Sequence, residues 1–345
     1  MRRLAPLIIA GIVLAVAPIT GPDIPVRVLE YVKPPAPAEA TLVAVGDIML
    51  SRIVAKRMRH YGADYPFAST ADFIRNADIA FGNLESPIAP GPEVQPFEMT
   101  FRADPEAADA LKDAGFDILS LANNHIPNLG PEGILETLHY LDAEGIMHVG
   151  AGKDAVEAGQ PMFIIANGII FGFLAYNDSD VVPLSYEAGD DRAGTALMRI
   201  DKMIQAVKGA QNFADIVIVS MHSGTEYAPF PNKRQVTFAR AAIDAGTELV
   251  LGHHPHVIQP VEVYNGKYIF YSLGNFIFDQ MWSDEVREGL AVRATFTKDG
   301  LKEVSYHPVL IEDYAQPRLL EGGEARKIIE KVTQGLPVDS PANPL

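Results

Sequence analysis

Seven side chains define the chemistry open to this sequence: Asp47, Glu85, Asn124, His125, His222, His254 and His256. They are carboxylates, an amide and imidazoles, with no thiolate, because the chain has no cysteine. Oxygen and nitrogen donors in this mixture suit divalent Mn, Fe, Co or Zn. Their positions say more than their types. Asp47 follows the apolar run Thr41–Val45, Glu85 follows Ile79–Phe81, and Asn124 and His125 follow Phe116–Leu121. His222 follows Ile216–Ser220, and His254 and His256 follow Leu249–Leu251. Taken singly, most have a plain reading: an N-capping Asp47, a solvated Glu85, a capping Asn124, a hydrogen-bonded core His222. His253-His254-Pro255-His256 is different, because three imidazoles crowded behind one buried strand favour a metal. Independent caps also have no reason to recur at strand end after strand end. The set is large enough for two ions sharing a carboxylate at about 3.5–4 Å, the arrangement used for in-line displacement at phosphorus.

The elements that must position these residues are legible. Short apolar, β-branched runs alternate with helical stretches, the signature of buried strands in an α/β fold. The carboxyl ends of such strands open onto a common crevice, where all seven residues would meet. Pro131 opens a helix over Glu132–Glu144 with Ile134, Leu135, Leu138 and Leu141 on its inner face, closed by Gly145. Asn232 to Ala245 reads likewise, ending at Gly246. Asn167-Gly168 and Asn265-Gly266 lie between β-rich runs and predict type I′ hairpins. Hairpins within parallel-type units imply an α/β architecture of two packed mixed β-sheets flanked by helices. The segment after Tyr314 is Pro- and Gly-rich and reads as peripheral. There is no internal repeat and no nucleotide-binding glycine loop.

Six segments carry a specific resemblance: Val45-Gly46-Asp47-Ile48-Met49, Gly82-Asn83-Leu84-Glu85, Leu121-Ala122-Asn123-Asn124-His125, His222-Ser223-Gly224-Thr225-Glu226-Tyr227, His253-His254-Pro255-His256-Val257 and Tyr271-Ser272-Leu273-Gly274-Asn275-Phe276. In this order they resemble the CapA-like capsule (poly-γ-glutamate) synthesis proteins, a branch of the calcineurin-like metallophosphoesterases. The resemblance implies a two-metal α/β sandwich. Asp47 matches the first metal aspartate, Glu85 the bridging carboxylate, Asn124 a ligand and His125 the catalytic histidine. His222 matches the lone histidine ligand, and His254 and His256 the closing pair. Three positions depart from the pattern. Met49 stands where phosphoesterases usually carry histidine, Asn128 where the capsule family commonly has aspartate, and Ser223 where tryptophan is common.

Two functions are open on this reading. One is a metal-dependent hydrolase of phosphoesterase type, with two divalent ions activating water and His125 giving a proton to the leaving oxygen. Arg52 and Arg102 are then candidate clamps for a substrate phosphate or carboxylate. The other is a non-catalytic, metal-containing component that holds an anionic polymer.

Composition bounds the rest. With 28 Lys+Arg against 44 Asp+Glu the net charge is −16, which repels phosphate backbones and excludes nucleic acid as a bulk partner. Arg2 and Arg3 precede an apolar run from Leu4 to Ile19, and the Pro/Ala stretch Lys33–Ala40 follows. These features predict a signal-anchor and linker over 1–40, with the segment that carries the CapA-like, metallophosphoesterase-type resemblance forming a domain over 41–314 and a peripheral tail over 315–345. They place the domain outside the cell membrane, with secretion after cleavage as the alternative; the resemblance implies other capsule-synthesis membrane proteins as partners.

Overall fold

The computed structural model describes residues 38–335. The anchor and most of the linker expected before Ala40 therefore lie outside the described residues. Among the described residues no helix is long and apolar enough to cross a membrane.

Two mixed sheets dominate. Edge to edge, the first runs Gln316–Leu319, Gly300–Glu312, Glu288–Thr297, Ala40–Ile48, Ile79–Leu84, Ile118–Ser120 and Met147–Val149, and Asn275–Ile277 also pairs with Ala40–Ile48. The second runs Val261–Tyr264, Lys267–Phe270, Leu249–His253, Ile216–His222, Ile169–Asn177 and Met162–Ala166. Strands Ala40–Ile48, Ile79–Leu84, Ile118–Ser120 and Met147–Val149 are parallel, as are Ile169–Asn177, Ile216–His222 and Leu249–His253. Both hairpins form as expected. Asn167 and Gly168 have φ of 49° and 78°, and Asn265 and Gly266 have 50° and 77°, the paired positive values of a type I′ turn.

Strand alternation builds three apolar layers. Leu42, Ala44, Phe81, Ile118, Phe171, Phe173, Ile218 and Leu251 fill the space between the sheets. Val43, Ala80 and Leu119 face outward and pack on Leu111 and Ala114 of helix Glu106–Ala114 and on Ile134, Leu138 and Leu141 of helix Gly130–Ala143. Val217, Val219 and Val250 face the other way, onto Met203 and Val207 of helix Ile200–Ala210 and Phe238 and Ala242 of helix Lys233–Ala245. The last helix is fixed at both ends. Asn232 and Gln235 form a reciprocal capping box, and Gly246 closes it at φ 111°.

Two expectations are corrected. Leu135 is 45% exposed, because the inner face of its helix is set by Ile134, Leu138 and Leu141 at spacings that leave Leu135 beyond the stripe. The segment after Tyr314 is more than a peripheral tail. Gln316–Leu319 pairs with Gly300–Glu312, and helix Gly322–Thr333 buries Ile328 and Val332 against the inter-sheet core.

Candidate metal centre

The inward-facing alternation that packs Phe81, Ile218 and Leu251 continues to the strand ends and there becomes polar. Asn83 and Glu85 follow Phe81 at steps of two, His222 follows Ile218 and Ser220, and His253 follows Leu251. Side chains two apart share a sheet face, so these residues enter the same crevice. Asp47 needs a further device. Val45 and Ile48 both pack on the outer helices, so one extra residue lies between them. The register against Ile79–Leu84 slips between Ala44 and Asp47, a bulge that turns Asp47 inward. Gly46 makes this possible, since a Cβ there would lie 1.9 Å from the carbonyl oxygen of Gly274.

At the centre stands Glu85. It is fully buried, and its Oε1 has no hydrogen-bond partner. Around that oxygen lie His125 Nε2 at 3.9 Å, His222 Nε2 at 4.0 Å and His256 Nε2 at 3.8 Å. A second convergence adjoins it: His222 Nε2 lies 2.9 Å from Asn124 Oδ1 and 3.1 Å from His254 Nδ1. Ligand atoms bonded to one ion at about 2.0–2.2 Å are spaced by roughly 3–4 Å, so these lone pairs fit a cation between them. Glu85 belongs both to the grouping with His254 and His256 and to that with Asp47 and His222. An unpaired buried carboxylate costs several kcal/mol, and a shared cation offsets that cost.

The ring tautomers are set from outside the centre. Asn275 Oδ1 lies 3.0 Å from His256 Nδ1, while its amide nitrogen donates to the carbonyl oxygen of Val286. Asn128 Oδ1 accepts the amide of Phe101 at 2.7 Å and lies 2.9 Å from His125 Nδ1. In both rings Nδ1 therefore carries the proton, and Nε2 turns a lone pair toward Glu85. The His125 ring also stacks on Phe101 at 3.8 Å between centroids.

Electrostatics separate the two carboxylates. Burial opposes the charge of Asp47, but the imidazoles of His253 and His256 outweigh it and hold the carboxyl well below its usual range. Burial, and then the charge of Asp47, push Glu85 well above its own. Burial lowers His125 to about 4 and His254 to about 3, and burial with the neighbouring His254 lowers His222. His125, His222 and His254 are thus neutral, the state in which imidazole binds metal. The backbone is strained here as well: Arg52, Tyr227, His254 and His256 have φ of 51°, 62°, 98° and 57°, values that L-residues rarely adopt.

The structure brings together Asp47, Glu85, Asn124, His125, His222, His254 and His256. It does not bring Arg52 or Arg102 in as free clamps. Arg52 is buried and spends its guanidinium on Asp279 and the carbonyl oxygen of Glu98, above the ring of Phe101. Arg102 is buried and holds the carbonyl oxygens of Ala89, Pro92 and Ala103 and the carboxylate of Asp104. Both staple the loop over residues 89–104. Met49, in the place of a histidine ligand, is buried and accepts the amide of Ser51 on its sulfur. Ser223 donates to Asp178, which Arg234 also holds. Two central residues were missed. Asn83 donates to Asp47 at 2.8 Å and lies 3.4 Å from His222 Nδ1, while Asn123 supports it from behind. His253 Nδ1 lies 3.3 Å from Asp47. The signal for Asn83 was a lone amide within an otherwise apolar strand.

The family model for "Bacterial capsule synthesis protein PGA_cap" matches residues 41–280. The chain belongs to this family. It is similar to the capsule biosynthesis protein CapA of Bacillus anthracis, 30% identical over 85% of this chain and 73% of that one. It is also similar to the PGA biosynthesis protein CapA of Bacillus subtilis, 35% identical over 78% of this chain and 71% of that one. Among solved structures, the NAD nucleotidase of Haemophilus influenzae covers 86% of this chain, and 62% of its own length is matched, at 9% identity and a TM-score of 0.50. At that identity the likeness speaks for the fold alone. The calcineurin-like phosphoesterase YfkN of Bacillus subtilis is a more distant neighbour, at 12% identity over 86% of this chain and 97% of that one, with a TM-score of 0.46.

Proposed function

We propose that this capsule-synthesis family member is a metal-dependent hydrolase of phosphoesterase type, held outside the cell membrane by its N-terminal segment and acting in capsule or poly-γ-glutamate synthesis. The observation that carries the reading is the unpartnered Oε1 of Glu85, ringed by His125, His222 and His256 at 3.8–4.0 Å. Asp47, Glu85, Asn124, His222, His254 and His256 would hold two divalent ions, with Glu85 shared. Bound there, such ions supply Lewis acidity and a water that ionises near neutral pH.

The chain's own residues do the rest. Asn83 and His253 fix the carboxylate of Asp47. Asn128 holds His125 with its basic nitrogen facing the centre. As the new oxygen–phosphorus bond forms, the proton shed by the attacking water passes to solvent; that nitrogen, protonated, gives its proton to the leaving oxygen as the old bond breaks and takes one back from solvent.

A second reading, a non-catalytic holder of an anionic polymer, draws support from Met49, which leaves one ligand position of active phosphoesterases unfilled. It is weakened by Arg52 and Arg102, which have no guanidinium free to meet carboxylates. The test is metal analysis of the purified full-length chain, with phosphoester hydrolysis measured as Mn, Fe, Co or Zn is restored after chelation. Hydrolysis that depends on one of these ions is the expected result. Bound metal without any turnover would favour the second reading, and absence of metal would remove both.

A further inference from the structure

Two large aromatic side chains stand at the mouth of the centre without cover: Tyr227 at 43% and Trp282 at 64% exposure. Neither is loose. The amide of Tyr227 donates to the carbonyl oxygen of Pro255, between the ligands His254 and His256, at 2.8 Å. Its hydroxyl accepts from Gln280 Nε2 at 3.2 Å, and its backbone is held at φ 62°. The Tyr227 ring lies 6.0 Å from that of His256 on one side and 5.6 Å from that of Trp282 on the other. A line of rings thus leads from a metal ligand out to solvent. Folding does not require an aromatic in a strained backbone that leaves its face wet, and such exposed pairs mark binding sites.

Charge and ring geometry select the occupant. Glu226 precedes Tyr227, and Asp284 and Glu285 follow Trp282, all three exposed. The arginines nearby are taken: Arg52 by Asp279 and Arg234 by Asp178. A polymer bearing a carboxylate on every unit meets like charge at this rim. A nucleobase would ask for two near-parallel faces, but Tyr227 and Trp282 meet at 76°. A neutral sugar ring fits such a corner. Its C–H face lies on one aromatic, its edge meets the other, and its hydroxyls donate to carboxylates such as Glu226.

We propose that Tyr227 and Trp282 form a sugar-binding subsite, so that the substrate presents a neutral glycan unit beside the bond held at the metal centre. The placement of that bond rests on the hydrolase reading; binding of the sugar does not. Trp282 is the one tryptophan of the chain, so its emission reports on this position directly. The full-length chain is titrated with cellotetraose, with the tetramer of N-acetylglucosamine, with adenosine and with poly-γ-glutamate, each with metal restored and after chelation. A saturable shift of Trp282 emission with a tetrasaccharide, in both metal states, is expected. The Tyr227→Ala variant should weaken it about threefold to tenfold, the size of one lost aromatic contact. Calorimetry on Trp282→Phe, which keeps an aromatic face, should retain binding and guards against a misfolded alanine variant. No shift with either saccharide, or a shift with adenosine or polyglutamate alone, overturns the subsite even if hydrolysis is found. Sugar binding in a protein that never turns over leaves the subsite standing and removes only the hydrolase reading.

Discussion

Asn128 Oδ1 lies 2.9 Å from His125 Nδ1 while accepting the amide of Phe101, and this one contact fixes which nitrogen of the ring is basic. Removing it with Asn128→Ala should leave metal content unchanged and lower turnover by about 10–100-fold, the usual cost of losing such a support. Asn128→Asp should restore turnover and move the alkaline limb of the pH–rate profile upward, because a carboxylate stabilises the protonated ring. A profile that stays put in the aspartate variant would show that His125 does not set that limb.

His125→Ala should keep its metal and lose about 10²–10⁴ in kcat, the range of a general acid–base contribution. The loss should shrink for esters with good leaving groups, which need little protonation. Unchanged hydrolysis, measured on a variant with full metal content, would assign His125 to structure.

Glu85→Gln should abolish metal retention, since both ligand groupings use Glu85. The metal-free variant should be at least as stable as the metal-free parent, because it loses the repulsion between Asp47 and Glu85 in a buried site. His148→Ala and His307→Ala are the controls. Their rings meet Asp142 and Ser305, away from the centre, and their metal content should match the parent. Elemental analysis with thermal melts with and without chelator separates these outcomes.

The metal-free protein should lose stability as pH falls from about 6.5. His125 is lowered to about 4 and His254 to about 3 in the folded state, so the unfolded chain binds protons that the folded chain refuses. Each ring contributes a slope of roughly 1.4 kcal/mol per pH unit below about pH 6.5, ending near its folded value. Urea midpoints at pH 7 and pH 5 test this. Equal midpoints would mean that neither ring is held neutral by burial.

Much of this site was legible in the sequence because alternation is a local rule. Once Phe81, Ile218 and Leu251 face inward, residues at steps of two do so until the strand ends, and Glu85 and His222 follow. Asp47 was found through its neighbours, but the bulge that aims it was not, since a bulge depends on the partner strand. The arginines were misread for a related reason. The partner of Arg52 lies 227 positions away, and nothing near either residue announces the pair. Asn83 and His253 were passed over because support for a ligand has no sequence spacing of its own.

The close approach of Gly46 to Gly274 has a consequence for how the protein is made. The strand carrying Asp47 is among the first parts of the described chain to be synthesised, yet it pairs with Asn275–Ile277 and Glu288–Thr297, near its far end. Pairing of such distant segments waits until both exist, and it is slow. A chain interrupted before Gly274 has His222 and His254 but no surface to turn Asp47 inward. On the two-ion reading, metal capture would therefore wait until the chain has passed Gly274, and the ion would be drawn from the compartment where that folding takes place.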